Sequence, residues 1–144
     1  CDVCALYYDG TVKVFAPGAF DAQQAVKQGV WQAWTFGPML LDAGGKAMKT
    51  FNSSVTVQNP RSGFGYYEPG HYCFILVDGR QDGYSVGVTM AQYAKIFEQL
   101  GCRSAYNLDG GQSAVMTFND TFVNQPYKGG RSVSDCLIIR EVQP

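Results

Sequence analysis

The chain has 144 residues, of which 46% are hydrophobic, 14% aromatic and 16% charged, the size and make-up of one globular domain able to bury a core. A net charge of −1, a pI near 5.7 and eleven basic residues scattered along the chain speak against the clustered cationic face that nucleic acid requires. No apolar run approaches the roughly 20 residues of a membrane-spanning helix.

Two β-type runs, VCALYY and TVKVF, flank Asp9-Gly10, a strong hairpin signal. A short helix follows, capped by Asp21 with Gln24 completing a capping box, and closed by Gly29. WQAWTFGPMLLDAGG then supplies aromatic residues, a breaker at Gly37-Pro38, a short apolar run and a turn. SVTVQ alternates like a strand, and the NPRSGFGYYEPG that follows reads as a glycine- and proline-rich loop. The most apolar run, Cys73 to Val77, stops at Asp78-Gly79-Arg80. TMAQYAKIFEQLG is the strongest helix, with a Thr89/Gln92 capping box, one apolar face of Met90, Tyr93, Ala94, Phe97 and Leu100, and Gly101 as terminator. AYNLDGG is a strand entering a turn, SAVMTF and TFV form a hairpin over Asn119-Asp120, and CLIIR closes the chain as a last strand. About nine short strands and two helices predict a single α+β domain: a mixed, largely antiparallel sheet wrapped around or packed on two short helices.

Five cysteines are an odd number, so at least one lacks a partner within the chain. Cys1 and Cys4 have metal or redox spacing, but no second pair at zinc spacing accompanies them, and the single histidine, His71, is distant. No metal site is therefore expected. Cys73, Cys102 and Cys136 sit in or beside apolar runs, where a cysteine is usually a small buried hydrophobe. No secretory leader is visible, yet a chain opening on Cys1 instead of Met reads as trimmed, which leaves export open.

Two buried-looking strands end alike, one in Asp78 before Gly79-Arg80 and the other in Asp109 before Gly110-Gly111. An acid at the end of an apolar strand costs free energy unless it is paired or hydrogen-bonded. Each aspartate either caps its turn through an Asx hydrogen bond or belongs to a site. Arg61, Arg80 and Arg131 all lie in glycine-containing loops with hydroxyls or acids close by, where a guanidinium can clamp a phosphate or carboxylate. Gly110 and Gly111 permit close backbone approach, and their N–H groups can form an anion nest. No G-x-S-x-G elbow and no Walker loop occurs.

NLDGGQSAVM resembles the NLDGGGSSTM signature of the phosphodiester glycosidase family, relatives of N-acetylglucosamine-1-phosphodiester α-N-acetylglucosaminidase. FGPMLL, NPRSGFG, the stretch from LVDGRQ through LGC, and YKGGRSVSDCLII resemble further family segments in the same order, from Trp31 to Arg140. Gln112 and Ala114 depart from the family's Gly and Ser or Thr, and the family's upstream N-G-G-F-F segment has no counterpart. An upstream segment or a second chain completing the domain is therefore expected. The resemblance implies hydrolysis of a sugar-1-phosphodiester at the anomeric carbon. It implies Asp109 as the central acid, with Asp78 or Asp135 as a second carboxylate. Arg61, Arg80 and Arg131 would clamp the substrate, Asn107 and Ser113 would orient it, and Gly110 and Gly111 would admit it. It implies a sugar-phosphate or glycan partner in a secreted or cell-envelope setting, bacterial or phage, and no cofactor, with a divalent cation left open. A non-catalytic sugar-phosphate-binding module and a structural piece of a larger assembly are the competing expectations.

Overall fold

The computed structural model describes residues 1–141, in which β1 (Val3–Tyr7), β2 (Val12–Phe15), α1 (Ala22–Lys27), β3 (Val30–Thr35), β4 (Arg61–Glu68), β5 (His71–Val77), α2 (Met90–Gln99), β6 (Ser104–Asn107), β7 (Thr117–Phe118) and β8 (Thr121–Phe122) follow one another. The fold is α+β, and every strand pairing is antiparallel. Among the described residues the strands form three sheets, ordered β2-β1-β3, β5-β4-β6 and β7-β8, with the two short helices of the expected α+β domain.

The central strand β4 is the segment RSGFGYYE, which reads as a loop in the sequence. Its glycines serve close approach, not a turn. Phe64 and Tyr66 pack with Cys4, Val12 and Tyr106 on the side of the β2-β1-β3 sheet. Gly63 and Gly65 alternate with them and face α2, as the two-residue period of a strand requires. A Cβ at Gly63 would lie 2.7 Å from the Tyr93 hydroxyl, and one at Gly65 would lie 2.9 Å from the Phe97 ring. Bare α-carbons there let α2 settle onto the sheet.

The expected strand SVTVQ carries no ladder. Its carbonyls are engaged elsewhere: Val55 and Val57 accept from the Arg61 guanidinium, and Thr56 accepts from Met90 N–H at the start of α2. The α2 cap forms as expected, with Thr89 and Gln92 bonded reciprocally. Met90, Tyr93, Ala94 and Phe97 are buried, and full burial of a side chain of the larger kinds stabilises by about 1.5–3 kcal/mol. Leu100 departs from that face; it is the C-cap residue and is 52% exposed as the chain turns at Gly101, φ +77°. At α1, Asp21 Oδ1 accepts from Gln23 N–H and Gln24 N–H, so the cap is made by Asp21 alone.

Tyr106 on β6 joins the two larger sheets. Its hydroxyl donates to the Asp2 carbonyl and accepts from Phe36 N–H, each at 2.7 Å. Asp2 itself is buried, and its carboxylate accepts from Met39 N–H at 2.7 Å. The stretch Pro38 to Leu40 then runs alongside β6, with Leu40 N–H donating to Ala105 O and Asn107 N–H to Pro38 O. The expected final strand CLIIR has no partner strand among the described residues. Both edges of β4 are taken by β5 and β6; Leu137 packs inward, while Ile138 and Ile139 are 73% and 78% exposed. Cys136, expected to be buried, is exposed with that segment.

Replacing Gly65 with Ala should lower unfolding free energy by about 1–3 kcal/mol, because the new methyl must displace Phe97 and two cysteine sulfurs; urea denaturation measures it. Tyr106→Phe should cost about 1–3 kcal/mol in the same assay, since it leaves the Asp2 carbonyl and Phe36 N–H without their partner.

Candidate active site

Three loops leave the same end of the β5-β4-β6 sheet. The register pairs Arg61 with Val77 and Gly63 with Asn107, so the start of β4 lies between the ends of β5 and β6. Asn59-Pro60 forms the middle of the floor. A Cβ at Gly79 would lie 2.7 Å from Pro60 N, one at Gly110 would meet Pro60 O, and one at Gly87 would strike Asn59 O. Gly111 N–H also donates to Pro60 O at 3.0 Å. Glycine is required at these positions because backbone packs directly on backbone.

On this floor Asp109, Ser113 and Arg131 meet. Arg131 Nη2 lies 2.6 Å from Asp109 Oδ2, and Arg131 Nε donates to the Ser113 hydroxyl. The pair is open to solvent, with side chains 52% and 45% exposed. An ion pair so exposed contributes at most about 1 kcal/mol to folding. Ser113 sits in a 3-10 turn, Gly111–Ser113, that directly follows the Asp109-Gly110 corner.

Arg80 lies beside them. Its Nε and Nη2 both donate to Asn59 Oδ1, at 3.0 and 2.7 Å. Its guanidinium rests against Gly111, where a Cβ would lie 3.2 Å from both Nη atoms, and stacks over the Tyr127 ring at 5.5 Å. Arg80 adopts φ +58°, a backbone conformation that non-glycine residues rarely hold without compensating contacts. Asn59 is itself buried and fixed by Nδ2 donating to Val57 O. Asn59 and Tyr127 escape a sequence reading that singles out charged residues, although Asn59 stands two places before Arg61 in NPRSGFG.

Arg61 does not reach the surface. It is 4% exposed, and Nε, Nη1 and Nη2 donate to the carbonyls of Val88, Val55 and Val57. Burial lowers its pKa from the usual guanidinium range; Tyr93 opposes this in part, and the neighbouring Arg80 cation adds a smaller lowering effect. A guanidinium nonetheless stays charged. The expectation of a substrate clamp is corrected here: Arg61 buttresses the loop beneath the site.

Asp78 organises the wall. Its Oδ1 accepts from Asn124 Nδ2 at 2.8 Å, and its Oδ2 accepts from the Tyr84 hydroxyl and Gln125 N–H, both at 2.9 Å. Asn124 also donates to Ala114 O, which ties Asp78 to the segment after Ser113. A shallow groove of about 380 Å³ runs beside Asp78, bounded by Phe74, Leu76, Met116 and Val123. Gln112, which departs from the family signature, donates through Nε2 to Gly130 O and so anchors the loop that delivers Arg131. Asn107 is 4% exposed and donates to Gly37 O and Leu108 O. Its Oδ1 is buried without a partner. Asn107 thus secures the strand end and does not face solvent. Asp135 is exposed on the terminal segment and hydrogen-bonds to none of these groups among the described residues. The structure therefore gathers Asp109, Gly110, Gly111, Ser113, Arg80 and Arg131, sets Asp78 next to them, buries Arg61 and Asn107, and leaves Asp135 exposed. No helix among the described residues is long and apolar enough to cross a membrane, and no group of three metal-ligating side chains is gathered there.

A family profile described as phosphodiester glycosidase matches residues 2–140. The chain is 31% identical over 141 residues to an SPbeta prophage-derived uncharacterized protein of Bacillus subtilis, covering 96% of this chain and 22% of that protein. It is similar in fold to the zebrafish N-acetylglucosamine-1-phosphodiester α-N-acetylglucosaminidase catalytic domain auto-inhibited by its pro-peptide. That match has a TM-score of 0.68 and 23% identity, and it covers 87% of this chain and 44% of the zebrafish one. A hypothetical protein from Synechocystis has a TM-score of 0.59 at 16% identity, covering 90% of this chain and 32% of its own. The chain thus spans less than half the length of each of these proteins. The profile match over nearly the whole chain settles the family: this chain belongs to the phosphodiester glycosidases.

Proposed function

We propose that the loop cluster hydrolyses a sugar-1-phosphodiester, of the N-acetylglucosamine-1-phosphate type, at its anomeric carbon and leaves a phosphomonoester. The observation that carries this reading is the contact of Asp109 with Arg131 and Ser113, beside the Arg80 guanidinium laid on Gly111. Family membership supports the reaction class, and the name of the zebrafish protein supplies the substrate type. A cell-envelope or other extracellular glycan is the substrate setting that fits.

A phosphate diester is already a good leaving group, so holding its charge matters more than protonating it. Arg80 suits that task because its cation rests on a neutral acceptor, the Asn59 amide oxygen. Its charge is left for an incoming anion. The Nη1 atom of Arg80, which lies against Gly111, and the Nη1 atom of Arg131, whose Nη2 holds Asp109, have no protein acceptor among the described residues. A phosphate oxygen between them receives charge-assisted hydrogen bonds from both. Asp109, almost half exposed, then faces the sugar carbon on which positive charge builds as the C1–O bond to phosphate breaks. It acts there as nucleophile or as base for water, and the configuration of the released sugar separates the two. Asp78, with both oxygens engaged, acts through Asn124 on the position of the Ala114 segment. Asp135 is the alternative second carboxylate.

Ala114 favours one other reading. It is 1% exposed and presents a methyl where the family carries a hydroxyl, a change that would suit a sugar-phosphate-binding module without turnover.

Incubation with an aryl α-N-acetylglucosaminyl phosphodiester should release the sugar. Failure to release it, alongside measurable binding of the sugar phosphate, would favour the module. Asp109→Asn should lower kcat/KM by roughly 10³-fold or more, while the thermal midpoint stays within about 2 °C, because the exposed ion pair holds little folding energy. A large fall in stability instead would make Asp109 a turn cap. Asn59→Asp should keep the acceptor for Arg80 yet cancel its charge, raising KM about tenfold with a smaller change in kcat.

A further inference from the structure

We propose that Cys73 and Cys102 are a modification site, a thiol pair that closes to a disulfide when the protein meets a small-molecule disulfide oxidant. The two sulfurs lie 3.8 Å apart, although the residues are far apart in the chain. Cys73 is half-buried on β5, and Cys102 is buried in the turn between α2 and β6. The other cysteines have no such neighbour. Cys4 is buried in the core against the β2-β1-β3 sheet, and Cys1 and Cys136 are exposed.

Gly65 makes the meeting possible. A Cβ at that position would lie 2.6 Å from the Cys73 sulfur and 2.9 Å from the Cys102 sulfur, so only glycine leaves room for both. Bond formation needs the sulfurs to approach by about 1.8 Å, from 3.8 Å to the normal disulfide length of about 2.05 Å. β5 pairs with β4 alone among the described strands, so its other edge is free to yield. The neighbouring Cys73 and Cys102 thiols, and burial after them, raise the pKa of the Tyr67 hydroxyl. Burial pushes the Cys102 thiol up to about 11, so closure is slow at neutral pH and quickens as pH rises.

The exchange balances as two thiol–disulfide steps. The more accessible Cys73 attacks the oxidant's disulfide, forming a mixed disulfide and releasing one small thiol. Cys102 then attacks the Cys73 sulfur and expels the second. Two protein thiols are oxidised, one external disulfide is reduced to two thiols, and the protein's protons leave on those thiols. The bond would tie β5, which runs on into Asp78-Gly79-Arg80, to the turn leading into β6, which leads to Asp109. It also closes a loop containing all of α2, restricting the unfolded chain.

The test uses the wild-type chain equilibrated with oxidised and reduced glutathione, alkylated, and digested with trypsin without reduction. Cleavage after Arg80 and Lys95 separates the two cysteines, so the expected product is Ser62–Arg80 joined to Ile96–Arg103. The oxidised protein should also melt several degrees higher than the reduced one, a difference that Cys73→Ala removes. The proposal is overturned if both cysteines are recovered alkylated while Cys1 and Cys136 carry glutathione. A linked product that melts no higher than the reduced protein overturns the bracing role. Neither readout depends on glycosidase turnover.

Discussion

Backbone packed on backbone around Asn59-Pro60 is the constraint on which the rest of the molecule depends. Gly79, Gly87 and Gly110 each bring a bare α-carbon against those two residues, and Gly63 and Gly65 do the same for α2 against β4. A side chain at any of these points would force apart elements that otherwise touch. The consequence runs from packing to function: three loops of different origin emerge from one sheet end with little freedom to drift. The two glycines of NLDGG therefore have separate tasks. Gly110 seats the turn on Pro60, and Gly111 leaves a surface on which the Arg80 guanidinium can lie.

Electrostatics then separates the three arginines that share a glycine-rich context. Arg61 is buried among carbonyls and holds the segment before β4. Arg80 is held by an uncharged amide and an aromatic face, which orients it without cancelling its charge. Arg131 is paired with Asp109 in the open. A carboxylate in place of Asn59 would give Arg80 a stronger partner but a weaker field toward an anion. The neutral partner is what an anion-binding loop needs, and it connects the local hydrogen bonding to the proposed chemistry.

Local signals were legible in the sequence. Asp9-Gly10, the Thr89/Gln92 cap and the Asn119-Asp120 hairpin depend on neighbours a few residues away, and each forms as read. The central strand was not legible, because the reason for glycine at Gly63 and Gly65 lies on α2, at Tyr93 and Phe97 much further along the chain. Reading those glycines as loop residues displaced the strand onto SVTVQ, whose carbonyls instead serve Arg61 and α2. At the site, Asp109, Arg131 and Ser113 were recognisable as polar groups beside glycines, but burial alone distinguishes Arg61 from Arg131. Asn59 and Tyr127 carry no charge and show their importance only through Arg80.

In the proposed function Arg80 and Arg131 form one anion-receiving edge over Gly111 and Asp109, with Arg61 beneath it. Titrating ¹⁵N-labelled protein with N-acetylglucosamine-1-phosphate and following the arginine side-chain Nε–H signals tests this most directly. The Arg80 and Arg131 signals should move together along one saturable curve while Arg61 stays in place. Movement of Arg61 without the other two, or no saturable movement of Arg80 and Arg131, would contradict it.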